Sequence, residues 1–164
     1  RRLRLCHALA GRAMLLTELL TPDRIVVPLV ATDKRGVLAQ LARHLVETSG
    51  GDCDHVLAAV LEREAVLSTG IGFGVAIPHA RSAGVRELAV VAGVSSKAIV
   101  YDGNDGQPVR LFFMIVGPEG SAGLHVKALS RIARLVRADS VRRDLTEAHT
   151  SDEFYNVLLD AEAR

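Results

Sequence analysis

Tryptophan is absent from this chain, and aromatic residues of every kind make up only 4% of its 164 residues. The core must therefore come from Leu, Val, Ile and Ala, as in many α/β domains. An excess of either charge is missing too. The formal net charge is +1, which removes the electrostatic case for nucleic acid as the main partner. Cysteine is scarce: Cys6 and Cys53 show neither CxxC spacing nor a disulfide framework, which fits a reducing, cytoplasmic setting. No apolar run approaches the roughly 20 residues that a membrane helix needs, so no membrane insertion is expected. The longest, Leu111 to Val116 (LFFMIV), has the length of a strand. Internal repeats, low-complexity tracts and linkers are also lacking. The chain reads as one domain over residues 14–164, preceded by an extension or arm over residues 1–13.

That leading stretch, RRLRLCHALAGRA, is rich in Arg, free of acids and precedes Met14. His7, Gly11 and Arg12 interrupt it, so it does not read as a signal peptide. A translation extension with Met14 as the natural start is the expectation. A short arm used in self-association, as in a homodimer, is the alternative.

Hydrophobic residues form 49% of the chain and charged residues 24%, the balance of a globular protein. Leu15 to Leu20 predicts a short helix and Ile25 to Val30 a strand. Asp33 is placed to cap a helix running to about Thr48, with Val37, Leu38, Leu41 and Leu45 at helical spacing. Asp52 or Asp54 caps the next. Val75 to Pro78, Leu88 to Val94, Ala98 to Tyr101 and Val109 to Val116 read as extended. Asp102 to Gly106 is dense in turn residues. Helices follow from about Ala122, near Ser140 to Ala148, and from Asp152 to Ala161 with Ser151 as cap. The expected fold class is α/β: a mixed β-sheet of about five strands flanked by helices, in a single domain.

The unusual segment is GIGFGVAIPHA, Gly70 to Ala80. Gly70, Gly72 and Gly74 are spaced GxGxG, which is not the dinucleotide fingerprint. Without GK[ST] it is not a Walker loop either. An ordinary turn and a loop whose amides cradle an anion both remain open. Pro78 fixes its own φ and biases Ile77 toward extended backbone, which stiffens the approach to His79. Asp52-Cys53-Asp54-His55 has metal-ligand residue types without ligand spacing, and reads as helix capping. No metal and no cofactor are expected. Lys127, Arg131 and Arg134, extended by Arg137, Arg142 and Arg143, form a basic helical stripe read as a solvated face.

The segment LEREAVLSTGIGFGVAIPHA, Leu61 to Ala80, resembles the active-site segment of the phosphotransferase-system enzyme IIA family of fructose, mannitol and nitrogen-regulatory type. The resemblance extends over nearly the whole chain from Met14. It implies that His79 carries a phosphoryl group. It implies a second histidine shortly after the strand that precedes the long C-terminal helix, which GPEGSAGLHVKALSRIARL supplies as His125, and an arginine in an RE pair, Arg63-Glu64. Ala80-Arg81 and Phe73 depart from residues often found in such proteins.

Histidine suits phosphoryl relay because its neutral ring nitrogen is nucleophilic near pH 7. The other ring nitrogen needs a fixed acceptor, and a backbone carbonyl is expected. His125 is expected to orient and donate, and Arg63 either to support the anion or to cap its helix. Ser68, Thr69, Gly70, Gly72 and Gly74 are the candidate phosphate-binding residues, and Ile71 and Phe73 the candidate docking rim. Glu64 reads as structural or solvated. The implied donor is an HPr-like phosphocarrier. The implied output is a nitrogen-type regulatory target bound according to phosphorylation state. The alternatives are a IIB domain in sugar uptake and a binding-only domain without transfer.

Overall fold

A computed structural model describes residues 14–164, so the expected N-terminal extension or arm lies outside the described residues. Helix α1 (Leu16–Leu19) and a 3-10 turn lead into strand β1 (Ile25–Leu29). Asp33 caps α2 (Lys34–Ser49) by accepting from Gly36 N–H at 2.7 Å, and Gly50 closes it with φ 83°. Asp52, not Asp54, caps α3 (Cys53–Val66), accepting from His55 N–H at 3.2 Å.

Six strands then form one sheet: β1, β2 (Gly70–Gly72), β3 (Val75–Ala76), β4 (His79–Arg81), β5 (Ala89–Ile99) and β6 (Val109–Gly117). Its order is β1-β5-β6-β3-β2, with β4 also on β6. β5 and β6 are antiparallel, while β1 on β5 and both β3 and β4 on β6 are parallel. Two of the expected segments, 88–94 and 98–101, merge into one long β5 whose register shifts between Val94 and Ile99. The ends of the glycine motif supply the short strands β2 and β4, which turn chemistry concealed. Pro28 is tolerated in β1 because that strand is an edge and has one unpaired side.

Helices cover both faces. Leu111, Phe113 and Ile115 of β6 point toward α1, α4 (Ala122–Leu135), α5 (Asp139–Thr146) and α6 (Ser151–Glu162). The alternate residues Phe112, Met114 and Val116 point toward α2 and α3. A strand buried on both sides has no polar alternation, which explains the continuous LFFMIV run. The cap of α6 is Thr150, which accepts from Glu153 N–H at 3.1 Å. Ser151 instead donates to Ile25 O at 2.6 Å, because its hydroxyl faces β1.

The basic stripe is not uniformly solvated. Arg131 pairs with buried Glu162 at 3.0 Å, and the same carboxylate accepts from Leu16 and Thr17 N–H. One acid thereby ties α1, α4 and α6 together. Among the described residues, no helix is long and apolar enough to cross a membrane.

Candidate functional site

β3 and β4 are one strand line with a break. Ala76 pairs with Phe112 and His79 with Ile115, so three residues pass on each side and the register survives Ile77-Pro78. Proline has no N–H to give the ladder. Its carbonyl still accepts from Ile115 N–H at 3.0 Å, while Ile77 N–H turns to Thr69 O at 3.0 Å. The carbonyl of Ile77 is left for His79, whose Nδ1 lies 2.8 Å from it. A carbonyl can only accept, so Nδ1 carries a proton, and in the neutral ring Nε2 is the nitrogen with the lone pair.

His79 opens onto a groove of about 560 Å³ between α3, β4 and α4. All three residues of β4, His79, Ala80 and Arg81, line it, and β4 runs parallel to β6. His125, in the first turn of α4, is only 6% exposed and meets the His79 ring edge-on at 5.5 Å. Its Nδ1 is buried with no hydrogen-bond partner. Burial first, then His79 and Arg81, push its pKa down to about 4, so it is neutral near pH 7. Arg63 lines the groove and also caps α3, its Nη1 donating to Leu67 O at 2.7 Å. The two roles considered for it are compatible.

The other expected site residues fall elsewhere. Thr69 is buried, with its N–H and Oγ1 donating to Glu64 at 2.9 and 2.5 Å and its hydroxyl 3.1 Å from Tyr101 OH. Ser68 Oγ donates to Tyr101 O at 3.2 Å. Gly70, Gly72 and Gly74 do not line the groove. Gly74 stands five residues before His79, about 16 Å along extended chain. Gly72 (φ 93°) and Gly74 (φ 77°) instead close the β2–β3 hairpin. Of the two readings left open for the glycines, a turn is what they form, away from the groove. Ile71 and Phe73 ride on that hairpin and do not rim the groove. Phe73 is 73% exposed, and its ring lies 4.6 Å from the Arg142 guanidinium.

Several site residues were missed. Arg81 shares the face of β4 with His79, two residues on, and lines the same groove. Val66, 80% exposed, and Val126 give the groove apolar edges, with exposed Leu67 next in chain to Val66. Beneath them, Glu64 pairs with Lys34 at 3.1 Å, and Lys34 sits 4.4 Å over the Tyr101 ring. Burial raises the Tyr101 hydroxyl pKa above its ordinary value. This network holds Thr69, whose carbonyl holds Ile77, whose carbonyl holds His79. Alternation along IPHAR carried the signal for Arg81; nothing local carried the signal for Val126.

Residues 18–161 match the model of the family described as "Phosphoenolpyruvate-dependent sugar phosphotransferase system, EIIA 2". The chain belongs to that family. Two relatives of this EIIA domain differ in kind. A nitrogen regulatory protein of Bradyrhizobium diazoefficiens is 34% identical over 145 residues, covering 88% of this chain and 95% of that protein. The fructose-specific EIIABC component of Bacillus subtilis is 36% identical over 146 residues, covering 88% of this chain but 23% of that protein. Among solved structures, nitrogen regulatory protein IIA-Ntr of Neisseria meningitidis superposes with TM-score 0.81 at 30% identity, covering 87% of this chain and 98% of its own.

Proposed function

We propose that this EIIA domain is a cytoplasmic phosphohistidine carrier in which His79 Nε2 accepts a phosphoryl group from an HPr-like phosphocarrier. One observation carries the reading: the Nδ1–H bond to Ile77 O leaves Nε2 as the nucleophile at the mouth of a groove. As the new Nε2–P bond forms, the P–N bond of the donor's phosphohistidine breaks and its electron pair returns to the donor ring. The proton stays on Nδ1, and its hydrogen bond to the Ile77 carbonyl offsets the positive charge that develops on the phosphorylated imidazole. Such transfer asks for in-line alignment and charge stabilisation rather than a second covalent step. Arg63 supports the phosphoryl oxygens, and neutral His125 donates one N–H.

Regulatory output is the favoured reading. The Bradyrhizobium and Neisseria relatives, matched over 95% and 98% of their lengths, both carry nitrogen-regulatory names. The fructose-specific Bacillus relative, at 36% identity, supports the second reading, in which the group passes to a IIB cysteine. A solved complex of enzyme IIA-mannitol with phosphorylated IIB-mannitol shares the fold, with TM-score 0.71 at 19% identity. In either case Val66, Leu67 and Val126 form the apolar docking edge.

The test is phosphorylation by enzyme I, HPr and phosphoenolpyruvate, read by intact mass. A single acid-labile adduct on the natural chain and none on His79→Ala is expected. No adduct with verified upstream proteins overturns the reading. Loss of the adduct on adding a IIB domain, with label appearing on its cysteine, assigns sugar uptake.

A further inference from the structure

The groove holds more cationic capacity than the transfer described so far uses. A phosphohistidine oxygen set brings close to two negative charges. His125 is neutral and offers one N–H, and Arg63 already gives one of its N–H groups to Leu67 O. Arg81 stands differently. It follows His79 by two residues on the same face of β4, so its Cβ lies about 7 Å from that of His79. Its guanidinium carries five N–H donors on a stem long enough to bridge that gap. Its one ion pair among the described contacts, with Glu119, is 3.8 Å long, beyond hydrogen-bond distance. Glu119 lies on the short 3-10 turn (Glu119–Ser121) that leads into α4 and is solvent-exposed, with an 82% exposed side chain.

We propose that Arg81 is the anion-binding residue that clamps the phosphoryl oxygens on His79, and that Glu119 is the carboxylate it leaves to do so. This rests on the carrier reading of His79. In the unphosphorylated chain the Glu119 carboxylate keeps Arg81 at the groove, turned toward α4. An exposed arginine–carboxylate pair is weak and salt-screened. A dianion two residues away, offering bidentate geometry, competes it off. Glu119 then loses its partner, so the charge pattern at the head of α4 reports the state of His79. A cation close to the nucleophile that is only loosely held is what a group alternately charged and uncharged requires. A tightly paired arginine would have to be freed at each cycle.

The experiment compares the natural chain with R81Q, R81K and E119Q, using two donors. One is the enzyme I, HPr and phosphoenolpyruvate system. The other is phosphoramidate, a small donor that needs no docking surface. Rates of adduct formation are read by intact mass, and the lifetime of each purified phosphoprotein is followed alone in buffer. R81Q is expected to slow phosphorylation about tenfold with both donors, less than loss of a fully buried oxyanion donor costs. It is also expected to change the phosphohistidine lifetime. R81K should restore most of the rate, and E119Q should match or exceed the natural chain. Thermal unfolding should be alike in all, because their ion pair is solvent-exposed and beyond hydrogen-bond distance. If R81Q is phosphorylated as fast as the natural chain, the Arg81 proposal falls while the carrier reading stands. Slowing with HPr alone, at an unchanged lifetime, makes Arg81 a docking residue and also overturns it. If the natural chain takes no phosphoryl group from either donor, both fall.

Discussion

Gly74 and His79 are five residues apart on one line of chain beside β6, and they do unlike things. At the glycine end, Gly72 and Gly74 adopt positive φ, and Asp105 accepts from Phe73 N–H at 3.0 Å while Phe73 itself sits at φ 58°. Those hydrogen bonds, first from Gln107 and then from Phe73, hold the Asp105 carboxyl below its usual pKa. All of this shapes a hairpin. At the histidine end the backbone is extended, and the Ile77 carbonyl accepts from His79 Nδ1 and so sets the tautomer. Density of motif and location of chemistry are thus separable. The glycines give β2 a tight way back to β3, and the groove that His79 lines begins where the glycines have ended.

The sharpest test of that separation sets His79→Ala beside Gly74→Ala. The first is expected to abolish the phosphoryl adduct altogether by intact mass. The support below the histidine comes next. Glu64→Ala leaves Lys34 and the Thr69 hydroxyl without their buried partner, and should cost roughly 3 kcal/mol in urea denaturation. Gly74→Ala forces a side chain into φ 77° and should cost about 1–2 kcal/mol. Its folded fraction should still be phosphorylated within about twofold of the natural rate, since orientation at His79 is untouched. A large rate loss without a stability loss would break the comparison.

His125 makes stability depend on pH. Its folded pKa of about 4 lies below the ordinary 6.5, through burial and then the neighbouring His79 and Arg81. Between those values the unfolded chain binds the extra proton, so stability falls as pH drops from about 6.5 toward 4. A loss of about 1 kcal/mol by pH 5 is expected, discounted for solvent at the groove mouth, and His125→Gln should remove it. Denaturant midpoints at pH 7 and pH 5 check this; an equal slope in the variant would assign it to other groups. The smallest effect belongs to the hairpin tip. Phe73→Ala should lose about 0.5–1 kcal/mol, the contact with Arg142, and leave phosphorylation unchanged.

Much of the fold was legible locally. Asp33 announced α2, Asp52 or Asp54 announced α3, and the unbroken LFFMIV run announced a strand; that it is buried on both faces came from the structure. The cap at Ser151 was misplaced by one residue, because Thr150 has the same capping chemistry and only contact with β1 shows which hydroxyl is engaged elsewhere. Ile71 and Phe73 looked like a docking edge because they are apolar, exposed and near His79 in sequence. They are far along the strand in space, and the exposed apolar edge of the groove is built from Val66 and Val126 instead.

By itself the sequence determined the helices, the long strands and the family, and singled out a candidate histidine, because periodicity, capping and the IPH segment act over a few residues. Only the tertiary structure decided what surrounds that histidine. β4 brings His79 and Arg81 in register with β6, β6 hands the chain to α4 with His125, and α3 lays Arg63 and Val66 across from them. Those contacts join residues up to 63 positions apart, Arg63 to Val126. They arise from the pairing of strands and the packing of helices distant in sequence, which no local pattern encodes.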